Sequence, residues 1–197
     1  MYPIPIIGNG HGGLIGKVYQ TKGKRSPVWS DGAVLYEGEF NRAIKNRLLE
    51  LLHFKGIAYY DLVPEQHDIH RRTRVNRANR FHAKHKKTFL LDIHSNAGGG
   101  KGSEVFISRS ASSSSLALAN WSKALFLQHF PESTFRGIKR KNFDLVHLTN
   151  MPAILLENFF MDNEHECRTY LMNPKGRDRI AAYTLAIIEA YLKYHHS

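Results

Sequence analysis

The chain of 197 residues, 42% apolar and 11% aromatic, can bury the core of one domain of ordinary size, which excludes a disordered protein. Its formal net charge of +11 favours polyanionic partners, among them nucleic acid, anionic membranes and bacterial walls. Cys167 is the only cysteine, so an intramolecular disulfide is excluded, and no apolar run approaches the roughly 18 residues that a membrane span needs.

The predicted elements alternate between short apolar, β-branched runs and longer segments with helical periodicity. In chain order they are strand 4–7, loop 19–32, helix 37–54, strand 57–63, basic helix 69–85, strand 88–93, strand 104–107, helix 112–130, strand 153–156 and helix 176–194. This alternation is typical of an α/β fold. We therefore expect a single domain, residues 1–197, in which a mostly parallel twisted sheet of about six strands is flanked by helices.

Four residues with metal-binding or proton-transfer side chains stand where predicted strands end or where the first long helix begins: His11, Glu37, His94 and Glu157. The carboxyl ends of parallel strands lie along one edge of a sheet, where ligands bind. A helix that follows a strand begins at that same edge. We therefore expect the four side chains to converge, although they are far apart in the sequence.

The residue types suggest a hydrolytic metal site. Two histidines and a carboxylate form a common catalytic zinc set, because two imidazole nitrogens and one oxygen leave a fourth position for water. Zinc lowers the pKa of that water from about 15.7 to roughly 7 and polarises a scissile carbonyl. A second carboxylate, not bound to the metal, is needed to move protons from the water to the leaving amine. Glu157 is placed for that role.

Each residue alone also has an ordinary structural explanation. His94, at the end of an apolar strand, could be a core histidine, and Glu37 could be a solvated residue near a helix N-terminus, where negative charge is favoured. Glu157 follows an apolar run, so its burial requires either a function or a salt bridge. His82 and His85, three residues apart in the basic helix, leave a second metal site open beside the simpler account of a solvated basic face.

Short motifs surround these residues at five places along the chain. They are NGHGG at 9–13, GKRSP at 23–27 with LYEGEFNR at 35–42, RVNRAN at 74–79, DIHSNA at 92–97 and MPAILLENFFMDN at 151–163. In this order they resemble the motifs of the zinc-dependent type-3 N-acetylmuramoyl-L-alanine amidases, particularly the compact forms found in phage lysins. The resemblance covers nearly the whole chain.

The resemblance implies an enzyme that acts on peptidoglycan with zinc held by His11, Glu37 and His94. Glu157 would serve as general base and then as general acid while the bond between the lactyl group of N-acetylmuramic acid and L-alanine is cut. By the same analogy, Asn96 would lie near the substrate backbone. The implied partners are peptidoglycan and anionic cell-wall polymers, and no nucleic acid partner is expected.

Two positions depart from the family pattern or leave it ambiguous. The family usually has an acidic residue three positions before the first histidine, where this sequence has Gly8. The support that this carboxylate gives its neighbours must be absent or come from elsewhere. Glu37 and Glu39 lie two residues apart, and the helix pattern that follows favours Glu37 as the zinc ligand, with Glu39 as the alternative.

The joint presence of His11, Glu37, His94 and Glu157 disfavours a zinc-free wall-binding protein, and two other functions stay open on the sequence alone. One is another zinc amidohydrolase or peptidase on a similar sheet, with a specificity set by its loops. The other is a basic nucleic-acid-binding protein whose ligand-like residues are structural, although no nucleic-acid-binding motif is present.

The beginning of the chain gives an expectation about localisation. Residues 1–7 lack the charged start of a signal peptide and are interpreted as the first strand. We therefore expect synthesis in the cytoplasm and action at the cell wall, reached by phage-type release, as for an endolysin, or through a leader missing from this sequence. Between residues 107 and 153 only helix 112–130 is predicted, so we expect an open site without a gating insertion.

Overall fold

The computed structural model describes residues 2–195. Its strands are β1 (Ile4–Asn9), β2 (Leu14–Ile15), β3 (Val18–Tyr19), β4 (Tyr60–Asp61), β5 (Thr88–Asn96), β6 (Ser103–Ile107), β7 (Phe135–Arg140) and β8 (Ala153–Phe160). Its helices are α1 (Glu37–Phe54), α2 (Arg71–His85), α3 (Ser113–His129), α4 (Asp144–His147), α5 (Glu164–Glu166) and α6 (Pro174–Tyr194), with a π-helical turn at Cys167–Leu171. Within residues 2–195, no helix combines the length and apolar character needed to cross a membrane.

Six of the strands form one sheet in the order β4-β1-β5-β8-β6-β7, while β2 and β3 form a separate antiparallel pair. β1 pairs in parallel with β4 and β5, and β5 pairs in parallel with β8. β6 runs antiparallel to β8, and β7 runs parallel to β6. The predicted α/β fold, a mostly parallel sheet of about six strands flanked by helices, is confirmed.

Both faces of the sheet are covered by helices. Ile7, Leu91 and Leu156 face one apolar cluster, to which α1, α3 and α6 contribute. Ile6 and Leu90 face the other cluster, to which α2 and α4 contribute. Neighbouring residues of a strand point to opposite faces. A strand buried on both sides therefore needs a continuous apolar run, which is the pattern seen in the sequence.

Helix α1 carries Glu37 to the carboxyl edge of the sheet. Phe40, Ile44, Leu48 and Leu52 are fully buried and recur every four residues, so one face of the helix packs on the sheet. The predicted helix 37–54 has the same bounds as α1. The regular apolar face therefore fixes both the helix and the position of its first residue.

Some predicted boundaries are wrong. In the predicted strand 57–63 only Tyr60–Asp61 pairs with β1, as an edge strand. β5 and β8 extend beyond their predicted ends, so His94 and Glu157 lie inside strands rather than directly after them. The sequence pattern also misses β7, because its segment FRGIKR is largely polar and an edge strand has little apolar surface to bury.

Candidate active site

His11 reaches the site through a loop that passes very close to other parts of the site. It lies two residues after the end of β1 and adopts a left-handed backbone conformation, with φ of 64°. A Cβ atom on Gly10 would lie 2.0 Å from the His94 ring, and one on Gly12 would lie 2.7 Å from the backbone nitrogen of Asp68. The flanking glycines therefore permit close approach, while the strained φ falls on the histidine itself.

Glu37, the first residue of α1, lies between the two histidines. It is only 2% exposed. Its Oε2 is 3.2 Å from His11 Nε2, and its Oε1 is 3.0 Å from His94 Nδ1. Burial alone would raise the pKa of Glu37, but the hydrogen bonds and charges of the two histidines outweigh it and hold the pKa below the usual range.

His94 is held from both sides of its ring. Nδ1 faces Glu37, and Nε2 lies 3.1 Å from Asp92 Oδ2. Burial would lower the pKa of His94, yet the charge of Asp92 and the hydrogen bonds to Asp92 and Glu37 raise it well above the ordinary value. The arrangement leaves Nδ1 as the nitrogen directed towards His11 and Glu37.

His11, Glu37 and His94 form a candidate metal site. One possible ligand atom from each residue lies within 4.8 Å of the other two. Among residues 2–195, no other group of three or more His, Cys, Asp or Glu side chains is placed to hold a metal ion in this way. Glu37 is a buried carboxylate that faces two imidazoles, and a bound cation would satisfy all three groups. The donor set of two nitrogens and one oxygen therefore fits a catalytic metal ion with room for a further ligand.

Glu157 lies on β8 directly beside His94 on β5, in the parallel register of the two strands. Its Oε2 atom is buried and has no hydrogen-bond partner among the described residues. Burial, together with the charges of Glu37, Glu104 and Asp92, raises the pKa of Glu157 to about 8, although the charge of His94 opposes the shift. A carboxyl group with such a pKa can both take and give a proton near neutral pH.

A β-bulge follows Glu157 directly. His94 pairs with Glu157 but Asn96 pairs with Phe160, so β8 contains one more residue than β5 over this stretch. Phe159 has a φ of 58°, which is strained for a bulky residue. Asn158 Nδ2 donates to the backbone oxygen of His94 at 3.1 Å. The side chain of Asn158 therefore links β8 to β5 at the bulge. No sequence pattern here predicts the bulge.

Asn96 lines the same cleft, at the end of β5. Its Nδ2 donates to Glu104 Oε1 at 2.9 Å, and its Oδ1 accepts from the backbone nitrogen of Ala97 at 2.9 Å. Glu104 also accepts from Arg136 Nε at 2.9 Å. The amide of Asn96 is thus fixed in orientation by a chain of polar groups that reaches across β6 to β7.

The alternative ligands of the sequence analysis have other partners. Both carboxylate oxygens of Glu39 accept hydrogen bonds from Arg177, at 2.8 and 2.9 Å, so this side chain is engaged with α6. His82 Nδ1 is 2.8 Å from Thr88 Oγ1. The ring of His85 stacks on Phe81, with 4.2 Å between ring centroids.

The four side chains face a cleft of about 730 Å³. One wall is the beginning of α2 with the segment before it, and the other is formed by residues 141–145. Arg74 is buried in the first wall, where its guanidinium donates to the backbone oxygens of Asn9 and Ile69. It thereby supports the backbone just before the His11 loop.

Two further polar residues of the site, Asp92 and Glu104, are missed by the sequence analysis. Asp92 interrupts the apolar run of β5 two residues before His94, so it points to the same face of the sheet. A carboxylate in such a run, which cannot be buried without a partner, is a signal that could have found it. Glu104 gives a weaker signal because it lies near the start of a short strand.

Comparison with known proteins decides the family. A model of the N-acetylmuramoyl-L-alanine amidase family matches residues 6–190, a stretch that includes all four site residues. The chain belongs to this family. The match favours neither of the alternatives, a different peptidase or a nucleic-acid-binding protein.

Individual relatives agree with this amidase family. The N-acetylmuramoyl-L-alanine amidase CwlM of Bacillus licheniformis is 34% identical over 93 residues, which are 47% of this chain and 35% of CwlM. The match therefore spans about a third of the length of that relative.

Solved amidase structures resemble the whole fold. An N-acetylmuramoyl-L-alanine amidase from Clostridium difficile 630 matches with a TM-score of 0.82 and 25% identity, covering 98% of both chains. The catalytic domain of the amidase CwlV from Bacillus (Paenibacillus) polymyxa var. colistinus matches with a TM-score of 0.77 and 26% identity, covering 97% of this chain and 98% of that one.

Proposed function

We propose that this chain is a zinc-dependent N-acetylmuramoyl-L-alanine amidase that hydrolyses the amide bond between N-acetylmuramic acid and L-alanine in peptidoglycan. The observation that carries the proposal is the convergence of His11, Glu37 and His94 beside Glu157, in a chain of the amidase family. Three ligand atoms and one unliganded carboxylate are the set that hydrolysis of an amide at a metal centre requires.

Zinc is the metal that this donor set favours. Imidazole nitrogens suit zinc, and two of them with one carboxylate oxygen make a common catalytic zinc site, whereas magnesium and calcium prefer oxygen ligands. When bound, zinc supplies the acidification of a water molecule and the polarisation of the scissile carbonyl. His11, Glu37 and His94 would hold the ion.

Glu157 carries out the proton transfers of the proposed reaction. Its carboxylate accepts the proton of the attacking water and then delivers a proton to the nitrogen of L-alanine as the amide bond breaks. In the metal-free protein the pKa of Glu157 is about 8. With a cation held by the neighbouring His94, that pKa would be lower, since an opposite charge favours the carboxylate, and Glu157 would be available as a base near neutral pH.

Asn96 is proposed to contact the substrate backbone. It lines the cleft, and its amide is held by Glu104 and by the backbone of Ala97. A side chain fixed in this way can present a hydrogen-bonding group to a peptide without first losing its own rotational freedom.

Anionic cell-wall polymers are proposed as a second partner, held by the exposed face of α2. Residues 69–91 contain no Asp or Glu, and the exposed cations of this stretch are Arg71, Arg72, Arg80, Lys84, Lys86 and Lys87. Such a face attracts polyanions and releases them as salt rises. Replacing Arg80 and Lys84 by Gln should weaken binding to wall fragments that retain their phosphate polymers, at low salt. The matched double change of Lys175 and Lys193 to Gln, both exposed on α6, should not.

The proposed function is tested by determining which bond of purified peptidoglycan the protein cuts. The protein, stripped of metal by a chelator and then supplied with zinc, is expected to release amino groups without reducing sugar. Glu157→Gln is expected to abolish the release, while Glu189→Gln, at a partly exposed residue of α6, leaves it unchanged. Zinc binding without release would show that the substrate assignment is wrong, and release of reducing sugar would show that a glycosidic bond is cut.

A further inference from the structure

Gly8 and Asp92 lie side by side in the parallel register of β1 and β5. Asp92 is fully buried. A Cβ atom on Gly8 would lie 2.4 Å from Asp92 Oδ1. The carboxylate of Asp92 therefore occupies the space into which a side chain at position 8 would extend, and only glycine leaves that space free.

Asp92 contacts His94 on the ring nitrogen that does not face Glu37. Its Oδ2 lies 3.1 Å from His94 Nε2, while the other ring nitrogen, Nδ1, lies 3.0 Å from Glu37 Oε1. A proton on Nε2 is donated to Asp92, which directs the lone pair of Nδ1 towards the metal position. A ring fixed in this orientation loses no rotational freedom when a metal ion binds.

We propose that Asp92 is the positioning residue of His94, and that it supplies from β5 the carboxylate that Gly8 does not supply from β1. The two positions act as a pair, because a carboxylate fits at one of them but not at both. The choice of zinc as the metal rests on the proposed function, whereas the geometry of the pair does not.

The proposal is tested by moving the carboxylate from position 92 to position 8 in the full chain. Zinc affinity is measured by competition with a chromophoric chelator for wild type, D92A, D92N, G8D and the double variant G8D/D92A. D92A is expected to bind zinc about 10–100-fold more weakly, with D92N in between. G8D alone is expected to weaken binding through the clash, and G8D/D92A to recover most of the lost affinity. Glu50→Gln, an exposed carboxylate of α1 outside the cleft, should leave the affinity unchanged.

A spectroscopic readout separates positioning from a loss of folding. In the zinc-loaded protein with ¹⁵N-labelled histidine, the Nε2 proton of His94 is expected to be visible in wild type and in G8D/D92A. It is expected to be lost to exchange with water in D92A.

Wild-type zinc affinity together with an unchanged His94 signal in D92A would overturn the proposal. If G8D/D92A binds zinc no more tightly than D92A, a carboxylate at position 8 does not replace the one at position 92, and that part of the proposal is overturned. If zinc affinity depends on Asp92 while wild type does not cleave peptidoglycan, the proposed function fails and this inference stands.

Discussion

Glu104 lies directly opposite Glu157 where β6 pairs antiparallel with β8. Two carboxylates in this position repel each other, and the charge of Glu104 is one of the causes that raise the pKa of Glu157 to about 8, after the larger effect of burial. Arg136 and Asn96 bind the Glu104 carboxylate and keep it in place. The proton-transfer residue is therefore influenced by a neighbour that lies outside the metal site.

The first prediction concerns that neighbour. Glu104→Gln removes a negative charge beside Glu157, so the pKa of Glu157 in the metal-free protein should fall below that of wild type. Carbon-13 NMR titration of labelled glutamate side chains measures the shift. Glu189→Gln, at a partly exposed residue of α6, is the control and should have no effect. An unchanged titration of Glu157 in Glu104→Gln would contradict the role assigned to the pair.

The second prediction concerns the stability of the metal-free protein. The folded-state pKa of Glu157 is raised from 4.5 to about 8, so its contribution to stability is present below pH 4.5 and is lost as the pH rises through 8. The unfolding free energy of wild type should therefore fall, relative to that of Glu157→Gln, between these pH values. Urea unfolding in the presence of a chelator at several pH values measures the difference. A constant difference would show that Glu157 has an ordinary pKa.

The third prediction concerns the glycine before His11. A Cβ atom on Gly10 would lie 2.0 Å from the His94 ring, so Gly10→Ala must displace the ring from Glu37. Zinc affinity should drop by at least the roughly tenfold that the loss of an outer-shell partner costs. Gly23→Asn is the control, because nothing lies within 4 Å of its position and its φ of +77° is tolerated by Asn. Equal zinc affinity in Gly10→Ala and wild type would show that the close approach is unimportant.

The fourth prediction concerns an ion pair between Lys45, a buried residue of α1, and the partly buried Asp61 of β4. Lys45 is 1% exposed and donates to both oxygens of Asp61, at 2.7 and 2.8 Å, and to the backbone oxygen of Val63 at 2.8 Å. Lys45→Met removes the cation from the Asp61 carboxylate, which keeps a hydrogen bond from the backbone nitrogen of Val63, and should cost about 3 kcal/mol of unfolding free energy. Lys55→Met removes an exposed pair with Glu189 and should cost about 0–1 kcal/mol. Chemical denaturation compares the two, and similar costs would contradict the account.

The sequence predicts those parts of the fold that are governed by apolar periodicity. Helix 37–54 is predicted with its observed ends because fully buried apolar residues recur every four positions along it, from Phe40 to Leu52. Edge strands such as β4 and β7 are predicted poorly or missed, since few of their side chains are buried and their pairing is decided by neighbouring strands.

The candidate site, like the fold, could be predicted from the sequence only in part. His11, Glu37, His94 and Glu157 could be placed at one edge because the topology of a parallel sheet brings strand ends together. Their hydrogen-bond partners could not be placed in this way. The approach of Asp92 to Gly8 and that of Glu104 to Glu157 depend on strand register, and the bulge at Phe159 depends on one additional residue in β8. Register and bulges leave no periodic trace in a single sequence.

Digestion of purified peptidoglycan in ¹⁸O-labelled water, followed by mass spectrometry of the products, tests the central claim most directly. We expect one labelled oxygen in the lactyl carboxyl group of N-acetylmuramic acid and a free amino group on L-alanine. Both should require zinc and Glu157. Labelled oxygen at a sugar carbon, or at a peptide bond farther along the stem, would show that this chain cuts a different bond.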